Sequence, residues 1–350
     1  MKSINKIDIY RISSSEAVYE IFKSSILGTG SYSIVYMGRC ISSKNPERIK
    51  RSDKLVAIKK VNMRKLSQNS ARMLVAEIGI LKEFMHRGHQ NIVECYDIID
   101  DLDVTYIIME YCDGGDLSSL FVGKQFKDIY LRYYFGQIIS AIKFLRENKI
   151  IHRDMKPKNI LLSSDKKTIK LCDFGFAKHV DALKRVTTIC GSPLYMAPEL
   201  YKKESYTESV DIWSLGIILF EMVFGLHPFA KYNDVESLSA SIIKNDIHIG
   251  KSTEVNENCL NLLSLMLKKH EHERINIDEL FDHTWIKNDC NLTEGELSCM
   301  FLTEHINVDL YSVTSTPMST DNSEFTEHSN DEINHSLNES TFDLIFEIDS

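Results

Sequence analysis

The hydrophobic pattern of this chain changes character once, and that change constrains the fold more than any other feature. Before residue 120 the apolar residues fall in short β-branched or aromatic runs, "YEIFKSSIL", "SIVYMGRC", "KLVAIKKV", "IVECYDIID" and "VTYIIMEYC", separated by Gly, Asn and Asp. Runs of that length and composition read as strands of a small antiparallel sheet. One helix interrupts them: "ARMLVAEIGILKEFM" sets Leu74, Ile78, Leu81 and Met85 at i, i+4, i+7 and i+11, the spacing of one buried stripe. After residue 125 helical patterns take over, as in "DIYLRYYFGQIISAIKFLRENK" and "SVDIWSLGIILFEMVFG". The expected class is α+β, a sheet-rich small lobe followed by a larger, mainly helical one.

With 350 residues, 43% of them hydrophobic, the chain is long enough for one bilobal domain or two ordinary ones. Its longest apolar stretch, Ile212 to Gly225, is interrupted by Glu221 and falls short of the roughly 20 residues a bilayer needs, so no membrane span is expected. The start, "MKSINKIDIYRISSSE", lacks the continuous apolar core of a signal peptide. Eight cysteines occur without a C-x-x-C pair, which argues for packing roles in a reducing compartment and hence a cytoplasmic location.

Charge is distributed unevenly. Asp289 to Ser350 hold 14 acidic residues and no Lys or Arg, so the first 288 residues, with 41 basic against 36 acidic side chains, are net +5. The tail, 289–350, is rich in Ser, Thr, Asn and acid, too poor in apolar surface to offset the entropy of ordering, and is expected to be disordered. Neither part carries a concentrated basic stripe, so nucleic acid is not expected as a partner. The basic stretch "SSKNPERIKRSDK" reads as a solvated loop between strands, with a docking surface as the other reading.

"GTGSYSIV" places Gly28 and Gly30 at the first two positions of a phosphate-cradling loop and Ser33 where a third glycine would stand. Alone it is equally a hairpin turn. Further motifs follow in order: "VAIK" with Lys59 on a strand, Glu77 on the next helix, "HRDMKPKN" from His152 to Asn159, "DFG" from Asp173 to Gly175, and "APE" from Ala197 to Glu199.

On these residues the chain resembles the eukaryotic-type Ser/Thr protein kinases over about Tyr19 to Ile286, with "HQNIV", "SVDIWSLG" and "HERI" as further matches. "MEYCDGGDL", "DFGFAK" and "TICGSPLYMAPEL" are closest to the autophagy-initiating (Unc-51-like) subfamily, whose glycine loop also carries a small third residue. The resemblance implies the bilobal protein kinase fold, with an N-terminal extension 1–18, a kinase domain 19–288 (N-lobe about 19–112, C-lobe about 113–288) and the acidic tail. It implies ATP and Mg²⁺ as cofactors and protein Ser or Thr hydroxyls as acceptors. Lys59 would contact the α and β phosphates and Glu77 would hold it there, with Glu83 as the other carboxylate on that helix. Asp154 would accept the hydroxyl proton, Lys156 and Ser192 would assist it, and Asn159 and Asp173 would ligate Mg²⁺. Leu27, Val35, Ala57 and Leu161 would wall the adenine pocket with Met109 at its back, and backbone groups near Glu110 and Cys112 would pair with the base.

Ser33 adds one small side chain where backbone approaches a ligand, and altered rather than abolished nucleotide affinity is expected. Cys172, beside Asp173, is either a reactive thiol or a buried inert one. Arg153 precedes Asp154 and can neutralise a phosphate on Thr188, or secondarily Thr187, which would order the segment and raise activity. In the tail, Phe342 to Ile345 resembles a short motif that adds as a strand to ubiquitin-like autophagy proteins; an inert end and a strand folding back on the kinase body are the alternatives. Two rival functions are a pseudokinase scaffold, which should have lost Lys59, Asp154 or Asp173, and an adaptor acting through the tail.

Overall fold

The described residues open with β1 (Ile9–Ser13), β2 (Ala17–Thr29), β3 (Ser33–Ser43) and β4 (Leu55–Asn62), and the chain then crosses through α1 (Gln68–Phe84) to β5 (Cys95–Asp101) and β6 (Val104–Glu110). These strands form one antiparallel sheet in the order β1-β2-β3-β4-β6-β5. The computed structural model describes residues 9–30, 32–44, 54–121, 125–180 and 186–287. The centre of the basic loop, the acidic tail and the Phe342 to Ile345 motif lie outside the described residues.

Alternation along the strands sorts side chains onto two faces. Val56 and Ile58 of β4 join Tyr19, Tyr96, Tyr106 and Ile108 in a core on one side of the sheet. The Asp97 carboxylate on β5 accepts bonds from Ser14 Oγ (2.6 Å) and Tyr19 OH (3.3 Å), so the two ends of the sheet curl toward each other. On the other side Val61 and Ile107 pack against α1.

Two expectations change here. The sheet starts at Ile9, inside the segment expected as an extension: β1 pairs with β2 from Ile9 opposite Phe22 to Ser13 opposite Val18. The buried stripe of α1 is Leu74, Glu77, Ile80, Leu81 and Phe84, while Ile78 and Met85 are only half-buried. The stripe is set by contacts from two lobes: Phe84 lies 5.3 Å from the Phe144 ring and 5.2 Å from Phe174, both C-terminal to the sheet.

The second lobe comprises α2 (Ser118–Phe121), α3 (Asp128–Glu147), α4 (Pro198–Tyr201), α5 (Ser209–Phe224), α6 (Val235–Lys244), α7 (Glu257–Met266), α8 (Ile277–Asp282) and α9 (Thr284–Lys287). Short strand pairs lie between α3 and α4: β7 (Ile150–Ile151) with β10 (Lys178–His179), and β8 (Ile160–Leu162) with β9 (Ile169–Leu171). Every residue of α5 from Ser209 to Val223 is buried, which makes it a central helix rather than a surface one. Gly225, at φ +70°, ends it. Among the described residues no helix is long and apolar enough to cross a membrane.

Candidate active site

The loop between β7 and β8 hangs from α5. Both oxygens of the buried Asp211 carboxylate accept backbone N–H bonds, from His152 and Arg153, each 2.8 Å. Arg153 is thereby held at φ +67°, a conformation a non-glycine residue keeps only when its surroundings dictate it. Burial pushes the Asp211 carboxyl up, against the opposing pull of His152 and the two N–H groups.

Asp154 follows, buried at 4% exposure. Its Oδ1 accepts from the Ser192 N–H and Oγ, both 2.8 Å, and its Oδ2 accepts from Asn159 Nδ2 at 2.9 Å. Lys156 Nζ lies 3.2 Å from the same Oδ2 and donates to Ser192 Oγ at 2.6 Å. Ser192 can stand there because its neighbour is glycine. Gly191 has φ +110°, and a Cβ on it would fall 2.5 Å from the Arg153 carbonyl oxygen.

A second group forms across the cleft. Lys59 Nζ donates to Glu77 Oε1 at 2.7 Å and lies 3.7 Å from Asp173 Oδ1. Glu83, the other helix carboxylate, pairs instead with His179 at 3.2 Å. Burial works against the Lys59 charge, but Glu77 and Asp173 override it and hold its pKa above the ordinary lysine value. Burial pushes the Glu77 carboxyl up, with Lys59 as the main opposing influence. For Asp173 desolvation is outweighed by Lys59, His152 and Lys156, and its pKa lies below the usual carboxylate range.

His152 joins the two groups. Its Nδ1 accepts the Asp154 N–H at 3.3 Å, so Nε2 carries the proton and donates to the Cys172 carbonyl at 3.2 Å. The Cys172 N–H in turn donates to the Asn159 carbonyl at 2.9 Å. Phe174 is 2% exposed, with its ring edge-on to both His152 and Phe84. Cys172 is half-buried, and desolvation pushes its thiol well above the ordinary cysteine pKa, which favours the inert reading of this cysteine.

Strand register puts part of the expected nucleotide pocket on one face of the sheet. Val35 pairs with Lys59, and Ala57 with both Met37 and Met109, so these side chains share the sheet face that carries Lys59. Val35, Ala57, Met109, Cys112 and Leu161 are half-buried, while Leu27 is 44% exposed. The Glu110 N–H donates to the Glu94 carbonyl at 2.8 Å, and its carboxylate is held by Lys170 at 2.9 Å and by the Glu94 N–H at 3.2 Å. Neither Gly28 nor Gly30 has positive φ, so their smallness does not serve the backbone's own conformation. Among the described residues a Cβ on Gly28 would meet nothing within 4 Å, and one on Gly30 would sit 3.1 Å from Ser33 Oγ.

Among the described residues no cluster of three or more His, Cys, Asp or Glu side chains is placed to hold a metal alone. Asn159 and Asp173 offer two oxygen donors. That set fits Mg²⁺, a hard cation that takes one or two carboxylates and completes its shell with phosphate oxygens and water.

Asp211, Tyr206 and Glu221 were not singled out from the sequence as functional. Glu221 accepts the buried Tyr195 hydroxyl at 3.0 Å. A signal did exist for the two carboxylates, each an acid within a continuous apolar helix, since buried charge is rare unless bonded.

A lysine locked to a helix glutamate on one lobe and a bonded aspartate on the other, with a second aspartate between them, define a phosphotransfer cleft, and the protein kinase domain family model matches residues 21–286: the chain belongs to that family. Within it the chain is similar to the serine/threonine-protein kinase atg1 of Dictyostelium discoideum, 36% identical over 74% of this chain and 38% of that protein. It is also similar to the human serine/threonine-protein kinase ULK3, 38% identical over 74% of this chain and 53% of that protein. A further relative is atg1 of Aspergillus niger, at 32% identity over 74% of this chain and 30% of that protein. The chain thus spans about half or less of the length of these relatives. The family's chemistry uses ATP, typically with Mg²⁺.

Proposed function

We propose that this chain is a serine/threonine protein kinase that transfers the γ-phosphoryl of ATP to protein Ser or Thr hydroxyls. The observation that carries the reading is the closed Lys59–Glu77 pair at 2.7 Å together with an Asp154 already bonded to Ser192 and Asn159. A pseudokinase scaffold should have lost one of these groups.

Bound ATP with Mg²⁺ supplies the transferable phosphoryl group and part of the charge neutralisation. Lys59, steered by Glu77, holds the phosphates. Asn159 and Asp173 hold the metal. Asp154 orients the incoming hydroxyl and takes its proton, while Lys156 offers positive charge beside it. Gly28 and Gly30 admit the phosphates close to backbone, with Ser33 at the loop's end. Leu27, Val35, Ala57, Met109 and Leu161 enclose the adenine, and the Glu110 carbonyl and Cys112 N–H pair with its edge.

The functional kinase unit extends to residue 288, with the acidic segment beyond it as an appendage. The subfamily motifs support a role in autophagy-like signalling, cysteine usage supports the cytoplasm, and Phe342 to Ile345 is assigned to a ubiquitin-like partner. The decisive experiment incubates the purified full chain with Mg²⁺ and γ-labelled ATP on arrayed peptides carrying Ser, Thr or Tyr. Label on Ser and Thr peptides that disappears with Asp154→Ala is expected. Label on no peptide sinks the proposal, and label retained by Asp154→Ala sinks the assigned base.

A further inference from the structure

Tyr206 lies between α4 and α5, in a stretch without catalytic motif residues, yet its hydroxyl touches both segments that frame Asp154. It donates to the Thr188 carbonyl at 2.5 Å and accepts from an Arg153 Nη at 3.2 Å. The backbone of Tyr206 forms an antiparallel bridge with Val186 through two 2.9 Å bonds. Arg153 Nε is also engaged, by the Phe176 carbonyl at 2.6 Å, one residue past the "DFG". The Tyr206 ring is fully buried, whereas the Thr188 side chain is exposed.

We propose that Tyr206 is a positioning residue: its neutral hydroxyl, linking the Arg153 guanidinium to the Thr188 backbone, aligns the Gly191–Ser192 stretch on Asp154 before any phosphate is added to Thr188. A phenylalanine would fill the same space, so packing accounts for the ring and not for the hydroxyl. A buried hydroxyl needs partners, and those of Tyr206 belong to the catalytic loop and to the segment that delivers Ser192, the Cys190 thiol included. The coupling then runs through contacts already described. The Arg153 carbonyl abuts Gly191, and the next residue, Ser192, makes two bonds to Asp154.

The consequence is regulatory. Against the expectation that a phosphate on Thr188 orders the segment, such a phosphate then adds a stronger partner for Arg153 without creating the alignment, and the unmodified enzyme is expected to be active. This rests on the kinase reading, and the test separates the two.

Wild type, Thr188→Ala, Tyr206→Phe, Thr188→Glu and Tyr206→Phe/Thr188→Glu full-length chains are phosphatase-treated, verified by mass spectrometry, and compared on one peptide substrate. Tyr206→Phe is expected to lower kcat about tenfold, the scale of one lost charge-assisted hydrogen bond, with KM for ATP changed less than about twofold. Thr188→Ala keeps kcat within about threefold of wild type. In the Tyr206→Phe background Thr188→Glu recovers most of the loss, because its carboxylate takes the freed Arg153 donor, and in the parent it changes kcat less than about twofold.

Hydrogen exchange of the 186–192 amides, faster in Tyr206→Phe, reports the bridge independently of turnover. Wild-type kcat and unchanged exchange in Tyr206→Phe overturn the proposal. So does a loss that accompanies a collapsed Tm and is not rescued by Thr188→Glu, which makes Tyr206 a packing residue only. If no chain labels any peptide the kinase reading fails, while the exchange rates still decide the bridge.

Discussion

The Lys59 ammonium and the Glu77 carboxylate meet at 2.7 Å with their side chains 17% and 6% exposed, one on a strand and the other on a helix that reaches it only when the small lobe is assembled. Each is the other's main compensation for burial. Lys59→Met therefore does more than remove the proposed phosphate contact. It leaves a carboxylate buried without its partner, at a cost of about 3 kcal/mol.

The sign of the pH dependence follows from Glu77. Its folded pKa is already raised and rises further without Lys59, so the folded variant binds a proton that the unfolded chain, at about 4.3, does not. The cost is full above the raised value and shrinks as pH falls toward the unfolded one. Denaturant melts of variant and wild type should differ more at pH 8 than at pH 5; equal differences at both would contradict this account.

Asp154 accepts hydrogen bonds from Ser192 and Asn159, and Asp154→Asn preserves its shape but not its charge. Loss of the base should cost on the order of a hundred- to ten-thousandfold in kcat while the melting temperature moves by a few degrees at most. Single-turnover phosphorylation with a parallel melt checks both. A variant with wild-type turnover would remove Asp154 from the chemistry.

The residues gathered around the cleft are legible because phosphoryl transfer calls for their chemical types and the kinase family's motifs fix their order along the chain. What holds them is not. Asp211 works by accepting the backbone N–H groups of residues 152 and 153, 59 and 58 positions away, and nothing in the local pattern near His152 announces that bond. Tyr206 is hidden for the same reason. The α1 stripe departs from the expected one at Ile78 and Met85 because helical spacing alone cannot tell that Phe84 meets the rings of Phe144 and Phe174 in the other lobe. The first strand, "IYRIS", is five residues long and mostly exposed, so it carries little apolar signal.

Gly28 separates ligand requirements from folding requirements. Its backbone is not at positive φ and an added Cβ meets no atom of the described residues within 4 Å, so Gly28→Ala should leave the melting temperature unchanged. A bound phosphate is what would meet the new methyl group. ATP affinity measured by calorimetry is expected to weaken about tenfold, or about 1.4 kcal/mol. Unchanged affinity would place the phosphates elsewhere than against this loop.

Arg274 and Glu199 form the most buried ion pair described here, with side chains 0% and 4% exposed and two parallel bonds of 2.7 and 3.0 Å. Arg274 also donates to the Ser209 and Lys268 carbonyls and lies 5.3 Å from the Trp213 ring centre, so one guanidinium ties α4 to the start of α5 and the turn before α8. Glu199→Ala strands that guanidinium without its carboxylate, and breaking one side of a buried pair costs about 3–5 kcal/mol. Because Glu199 lies three residues after Met196, on the segment that carries Ser192, the damage should reach catalysis as well as stability. Urea denaturation is expected to show a lower midpoint with an unaltered slope, and kcat should fall more than KM for ATP rises. A midpoint within experimental scatter of wild type would mean that water or another carboxylate replaces Glu199, and that this pair does not hold the two segments together.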